Sequence, residues 1–264
     1  MAFWVTYDHL GKLILASLLW AIPLLLLGFV ALTAFLAGGL VIPLAVGAPA
    51  AVLCLAVALP VLSAGLAHMA KELIETRDGS VGDMFRGIRL YWRRAVGLGC
   101  IYLIAVSCLT TSAWFYASKL RDSAPWLGYG ISAIALWGLL FCALTALLAP
   151  ATLVQKKSNV LGTIKLTALI VLDNPFTSLG IALQVVGFTI FAVVVPPLFF
   201  FLYGGVVVVL ASSMYELLAR RYAALECAGD ARAAADAGRG PVLDDEHDDY
   251  LNRGFRDFLF PWKG

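Results

Sequence analysis

Few side chains in this sequence could do chemistry, and they are widely spaced. His68 and Glu72 stand four residues apart. On a helix that spacing puts both on one face, where they could exchange a proton. They close an apolar run beside water, so a plain surface pair is the simpler reading. Of the five cysteines, Cys54, Cys100, Cys108 and Cys142 lie inside apolar runs, and Cys227 does not. None forms a CxxC or CxxH pair, and isolated cysteines of this kind behave as small buried hydrophobes. His9, His68 and His247 are too far apart for a local metal motif. There is no glycine-rich phosphate loop, GxSxG elbow, HExxH or intramembrane carboxylate pair. No catalytic, cofactor-binding or metal-binding residue is therefore assigned, and the expectation is a protein that is not an enzyme.

The elements that would position such groups are apolar. Of 264 residues, 61% are hydrophobic and 14% charged, against about 25% charged in a soluble domain. The net charge of +2 gives no reason to expect a nucleic-acid partner. Six runs are long enough to cross a bilayer as helices: 13–35, 50–69, 95–116, 126–149, 176–195 and 198–218. About 20 apolar residues suffice at a rise of about 1.5 Å each. The first run exceeds a signal-peptide core and reads as a retained span. Pro196-Pro197 should divide the last two, because proline cannot continue a helix without losing a backbone bond. The expected architecture is all-α: a polytopic bundle over 1–221, three hairpins of spans with cytoplasmic amphipathic helices, followed by a tail over 222–264.

Inside the spans, Thr110, Thr111, Ser112, Thr145 and Gln184 are the mild polar residues that might line a path. Hydroxyls and a lone amide more often tie helices together. Coupled transporters place ionisable groups at mid-depth, and these spans have none there. Orientation follows from the basic residues. Seventeen of the 19 Lys and Arg fall on one side of the membrane in this arrangement, against Lys119 and Arg121 on the other. The positive-inside rule makes the richer side cytoplasmic, with both termini there.

The two longer polar segments, 71–94 and 155–174, resemble a weak internal repeat. In the first, Ser80 stands three residues before Asp83 as a capping pair. Val81, Phe85, Ile88 and Tyr91–Trp92 recur at helical spacing, with Arg86, Arg89 and Arg93 on the other face. Two readings fit. An interfacial helix would bring Arg86, Arg89, Arg93 and Arg94 to anionic headgroups. A helix packed on the bundle would leave the same charges solvated. In the second segment Val160, Ile164, Ala168 and Val171 share the spacing, and packing is favoured. The tail carries an acidic patch, DDEHDD at 244–249, and then Phe255, Phe258, Leu259 and Trp262. An aromatic stripe of this density should be buried on the chain's own surface, on the membrane or on a protein partner. Arg86, Arg89, Arg93, Arg94, Phe255, Phe258 and Trp262 are thus the candidate lipid or partner contacts.

The stretch LPVLSAGLAHMAKELIETRDGSVGDMFRGIRLYWRRAVGLG, over 59–99, resembles the YesL-like family of bacterial polytopic membrane proteins. It shows a span ending in Pro and Gly, a short charged link and an F-x-G amphipathic helix. LLWAIP in the first span and Asn174-Pro175 before the fifth are similar too, and the likeness covers about two thirds of the chain. Ser17 stands where that family tends to carry Asn, the first hairpin is longer, and the tail past Tyr222 has no counterpart. The resemblance implies a bacterial inner-membrane protein, an accessory to solute uptake, and supplies no site residue. The leading expectation is a non-enzymatic accessory or scaffold subunit of the cytoplasmic membrane. The alternative is a small transporter or channel for a neutral solute. A continuous polar interior would favour transport, and a packed apolar one the scaffold.

Overall fold

The computed structural model describes residues 2–36, 46–76, 79–120, 125–156 and 159–235. Among them every regular element is helical. In chain order these are α1 (Ala2–Asp8), α2 (Leu10–Leu36), α3 (Ala48–Glu75), α4 (Val81–Phe115), α5 (Pro125–Lys156), α6 (Val160–Asp173), α7 (Pro175–Val194) and α8 (Gly204–Ala235). A turn at Pro196–Leu198 and a π-helical stretch at Phe199–Tyr203 lead into α8. Six helices are long and apolar enough to cross a membrane: α2, α3, α4, α5, α7 and α8 with its lead-in.

Prolines set the irregularities. Val195, with φ −119° and ψ 82°, breaks the helix before Pro196, so the last two spans are separate. Within α3, Pro60 has no amide to offer the Ala56 carbonyl four residues back. Just before it, Cys54–Ala58 takes π geometry, and the Leu59 amide bonds the Cys54 carbonyl. Pro150 likewise sits inside α5 and leaves the Ala146 carbonyl without its helical donor.

The first polar segment is much shorter than its sequence suggests. α3 runs to Glu75 and α4 starts at Val81, so residues 76–80 alone connect them. Residues 81–94 are the first turns of a single 35-residue helix that continues into the apolar span. At about 1.5 Å per residue it is about 50 Å long and outruns a bilayer core of about 30 Å. One face of these turns packs on the bundle, and the other leaves Arg86, Arg89 and Arg93 exposed. α4 lies antiparallel on α3, with Gly87 against His68, Gly65 against Met84 and Ile88, and Gly99 against Ala56 and Pro60. The buried stripe is Met84, Gly87, Tyr91, Ala95, Leu98 and Gly99. Phe85 and Trp92, which share the apolar spacing with Ile88 and Tyr91, are 55% and 49% exposed. The reason is steric: only the glycine face of α4 lets its axis approach α3 this closely.

The main core gathers at the basic end. Leu13, Ala64, Leu66, Ala67, Met69, Leu73, Met84, Tyr91, Leu153 and Val209 join α2, α3, α4, α5 and α8. A second cluster, with Leu144, Leu148, Val171, Met214 and Leu218, seats α6 on α5 and α8. Away from it, large apolar side chains face outward on α2, α5 and α7, among them Phe29, Leu32, Trp137, Leu183 and Ile190. Water would not tolerate so continuous an apolar exterior. A hydrocarbon surround would.

Candidate functional site

The basic end of α4 is the best-defined polar surface. Its first turn is closed by the expected cap: the Ser80 amide and hydroxyl both donate to Asp83 Oδ2, at 2.9 and 2.7 Å. These turns lie beyond the apolar part of α4. The two bonds, the hydroxyl's first, favour the ionised carboxyl and hold Asp83 below the usual carboxylate range. Arg86 reaches back to Asp83 at 3.3 Å. Arg86, Arg89 and Arg93 share one exposed face with Leu90, and the Arg93 guanidinium lies 5.3 Å from the Trp92 ring. Arg94 turns away from them and is half-buried. An exposed mixture of guanidinium, Phe85 and Trp92 suits a boundary between apolar and polar phases.

His68 makes no hydrogen bond to Glu72, although the Glu72 and Asp83 carboxylates are near enough to act on its charge. Its ring packs on Gly87 and lies 6.0 Å from Tyr91, with Nδ1 buried and unpartnered. The Tyr91 hydroxyl donates to the Val154 carbonyl and ties α4 to α5. This cluster reads as a helix joint, not as a proton-handling pair. No group of three or more metal-ligating side chains occurs among the described residues. Cys54 and Cys142 are buried, Cys100 and Cys108 exposed, and all four are free.

Among the described residues, four of the buried serine and threonine hydroxyls join helices, while those of Ser178, Ser212 and Ser213 are buried without a hydrogen-bond partner. Ser17 accepts from the Gly205 amide at 2.8 Å, linking α2 to α8. Ser132 donates to the Ala113 carbonyl at 3.1 Å, linking α5 to α4. Thr152 and Thr167 share a hydrogen bond of 2.8 Å between α5 and α6. Each also donates or can donate to its own helix, Thr167 to the Thr163 carbonyl and Thr152 to those of Leu148 and Ala149. Of the candidate path residues, Thr145 bonds the Cys142 carbonyl at 2.9 Å, Thr110 and Gln184 face outward, and Thr111 and Ser112 line an open hollow with Ser107 and Tyr116. Sequence reasoning missed the threonine joint, having sought the buried face of α6 at Val160, Ile164, Ala168 and Val171. Thr163 and Thr167 recur at the same four-residue step, which was the available signal. At the junction of α6 and α7, Tyr222 donates to Asp173, and Asn174 donates to the Tyr222 hydroxyl at 2.6 Å.

A cavity of about 320 Å³ opens between α3, α4 and α5. Its walls are apolar, with Leu55, Pro60, Leu98, Val106, Ala146 and Pro150 among them. Ser63 also contributes, but its hydroxyl already accepts from Trp20 Nε1 at 3.0 Å. The Tyr102 hydroxyl is buried near Thr145 without a well-formed hydrogen bond. The tail candidates Phe255, Phe258 and Trp262 lie outside the described residues.

Together the helices and the exterior define an all-α, multi-pass membrane protein. Comparison with protein-family models, with curated proteins and with solved structures finds no match to the chain.

Proposed function

We propose that this chain is a non-enzymatic accessory or scaffold subunit of the cytoplasmic membrane, associated with solute uptake as the YesL-like resemblance implies. Both termini and the arginine face of α4 lie in the cytoplasm in this reading, following the bias of basic residues. The observation that carries it is the interior. Among the described residues no charged side chain is buried, and the cavity between α3, α4 and α5 is mainly apolar. A more open hollow at Ser107, Thr111, Ser112 and Tyr116 carries hydroxyls but lies along α4 and its immediate continuation alone. A conduit for a neutral polar solute would need a continuous file of donors and acceptors, whereas the buried hydroxyls are divided between helix joints, local bonds and the unpartnered Ser178, Ser212 and Ser213. What the molecule offers instead is an exposed surface of Arg86, Arg89, Arg93, Phe85 and Trp92, the residue types that contact headgroups or a partner's acidic face.

The test compares the native chain with the triple change Arg86→Glu, Arg89→Glu and Arg93→Glu, both purified from native membranes in mild detergent. The expected result is a stoichiometric protein partner with the native chain and its loss from the variant, whose elution profile is otherwise unchanged. Elution of the native chain alone would overturn the scaffold reading. Faster glycerol equilibration in vesicles holding the purified protein would transfer the case to the channel.

A further inference from the structure

We infer that the cavity between α3, α4 and α5 is a binding site for one hydrocarbon chain of a membrane lipid, entered sideways from the bilayer. This stands apart from the scaffold reading, since it rests on the cavity alone. The first argument is construction. Four backbone irregularities converge on this spot: the π stretch Cys54–Ala58, Pro60 and Pro150, and Gly99 set against the Ala56 carbonyl. The helices cannot simply close over the space, because fixed contacts bracket it. Tyr91 holds α4 to Val154 of α5 at one end, and Ser132 holds α5 to Ala113 of α4 at the other.

The second argument is chemistry. A cavity of about 320 Å³ is about twice the ~150 Å³ space that admits a benzene ring. The wall has two polar side-chain atoms, the Ser63 hydroxyl already engaged by Trp20 and the buried, unpartnered Tyr102 hydroxyl, so most of the space lacks the two to four polar partners that water needs. No charged side chain lines the walls, so a headgroup finds no partner. The third argument is position. Leu55 and Val106, both lining residues, are 46% and 39% exposed and lie well inside the apolar helices. The medium at that mouth is lipid hydrocarbon, and its chains are the apolar solute at highest concentration.

The test places the full chain in phosphatidylcholine vesicles doped with a phosphatidylcholine bearing a mid-chain diazirine. After irradiation, adducts are mapped by peptide mass spectrometry. Adducts on residues 55–64 and 98–106 are expected in several-fold excess over the outward α5 face around Ile134 and Trp137, which reports ordinary surrounding lipid. Ala146→Phe fills the cavity and should bring its adducts to the comparator level while leaving the comparator unchanged. Ala149→Leu does the same with a smaller side chain, in case the phenylalanine variant fails to fold. Cavity adducts no higher than the comparator in the native chain would overturn the proposal. So would adducts unchanged in a folded variant.

Discussion

The Cα of Gly99 rests against the carbonyl oxygen of Ala56, so closely that any β-carbon at position 99 would collide with the α3 backbone. A backbone oxygen cannot rotate away as a side chain can. Gly99→Ala should therefore destabilise the protein by about 1–3 kcal/mol, the usual cost of overpacking, despite the better helix propensity of alanine. Gly180→Ala, where nothing lies within 4 Å, should be neutral or stabilising by up to about 1 kcal/mol. Thermal unfolding of both variants in one detergent checks the contrast, and equal melting temperatures would refute the close approach.

The Thr152–Thr167 bond lends itself to a double-mutant cycle. Thr167→Val removes the shared bond but leaves Thr152 its own-helix carbonyls, so the loss should be about 0.5–1.5 kcal/mol. Thr152→Val should behave alike. The double variant should cost less than the sum of the two, because both partners of one buried bond are then gone. Strict additivity in chemical unfolding would show that the two hydroxyls do not interact.

The Ser80–Asp83 cap predicts a pH response with a definite sign. The folded carboxyl titrates below its unfolded value of about 3.9, so its stabilisation is complete above that value. It is lost as pH falls through the lowered folded value. Amide exchange, corrected for its intrinsic pH dependence, should show the first turn of α4 losing protection on acidification below about pH 4. Ser80→Ala should weaken the same turn at neutral pH, by about 1 kcal/mol. Protection in the native chain that stays flat to pH 2 would rule out the cap as its source.

Orientation can be read by cysteine labelling in intact cells. A cysteine introduced at Ser123 should react with an impermeant maleimide, and one at Gly79 should stay protected until the membrane is opened. Labelling of position 79 from outside would reverse the proposed topology.

The spans were legible because apolar length is a property of sequence alone, as was the break at Pro196-Pro197. The Ser80–Asp83 cap was legible because its partners are three residues apart. The extent of α4 was harder to see. Arg86, Arg89, Arg93 and Arg94 look like the edge of a loop, yet residues 81–94 belong to the same helix as the span they precede. What decides this is Gly87 meeting His68 and Gly65 meeting Ile88, pairings about twenty residues apart whose fit is steric. Charge patterning does not encode that fit. The cavity was likewise hidden, because Pro60, Gly99 and Pro150 are far apart in sequence and take on a joint meaning only in three dimensions.

The α3–α4 pairing also bears on how the chain reaches its fold. Its contacts run outward from residues 76–80: His68 with Gly87, then Gly65 with Ile88, then Ala56 with Gly99. Each contact brings the next within reach, so every added pairing closes only a small further loop, and loop-closure entropy grows slowly. This hairpin can zip from its turn once both helices exist. The joints of α2 to α8, by contrast, connect Ser17 to Gly205 across 188 residues and must wait for the rest of the chain. The order of assembly is therefore written into the contact map, with α3–α4 as the seed on which the ends of the chain later close.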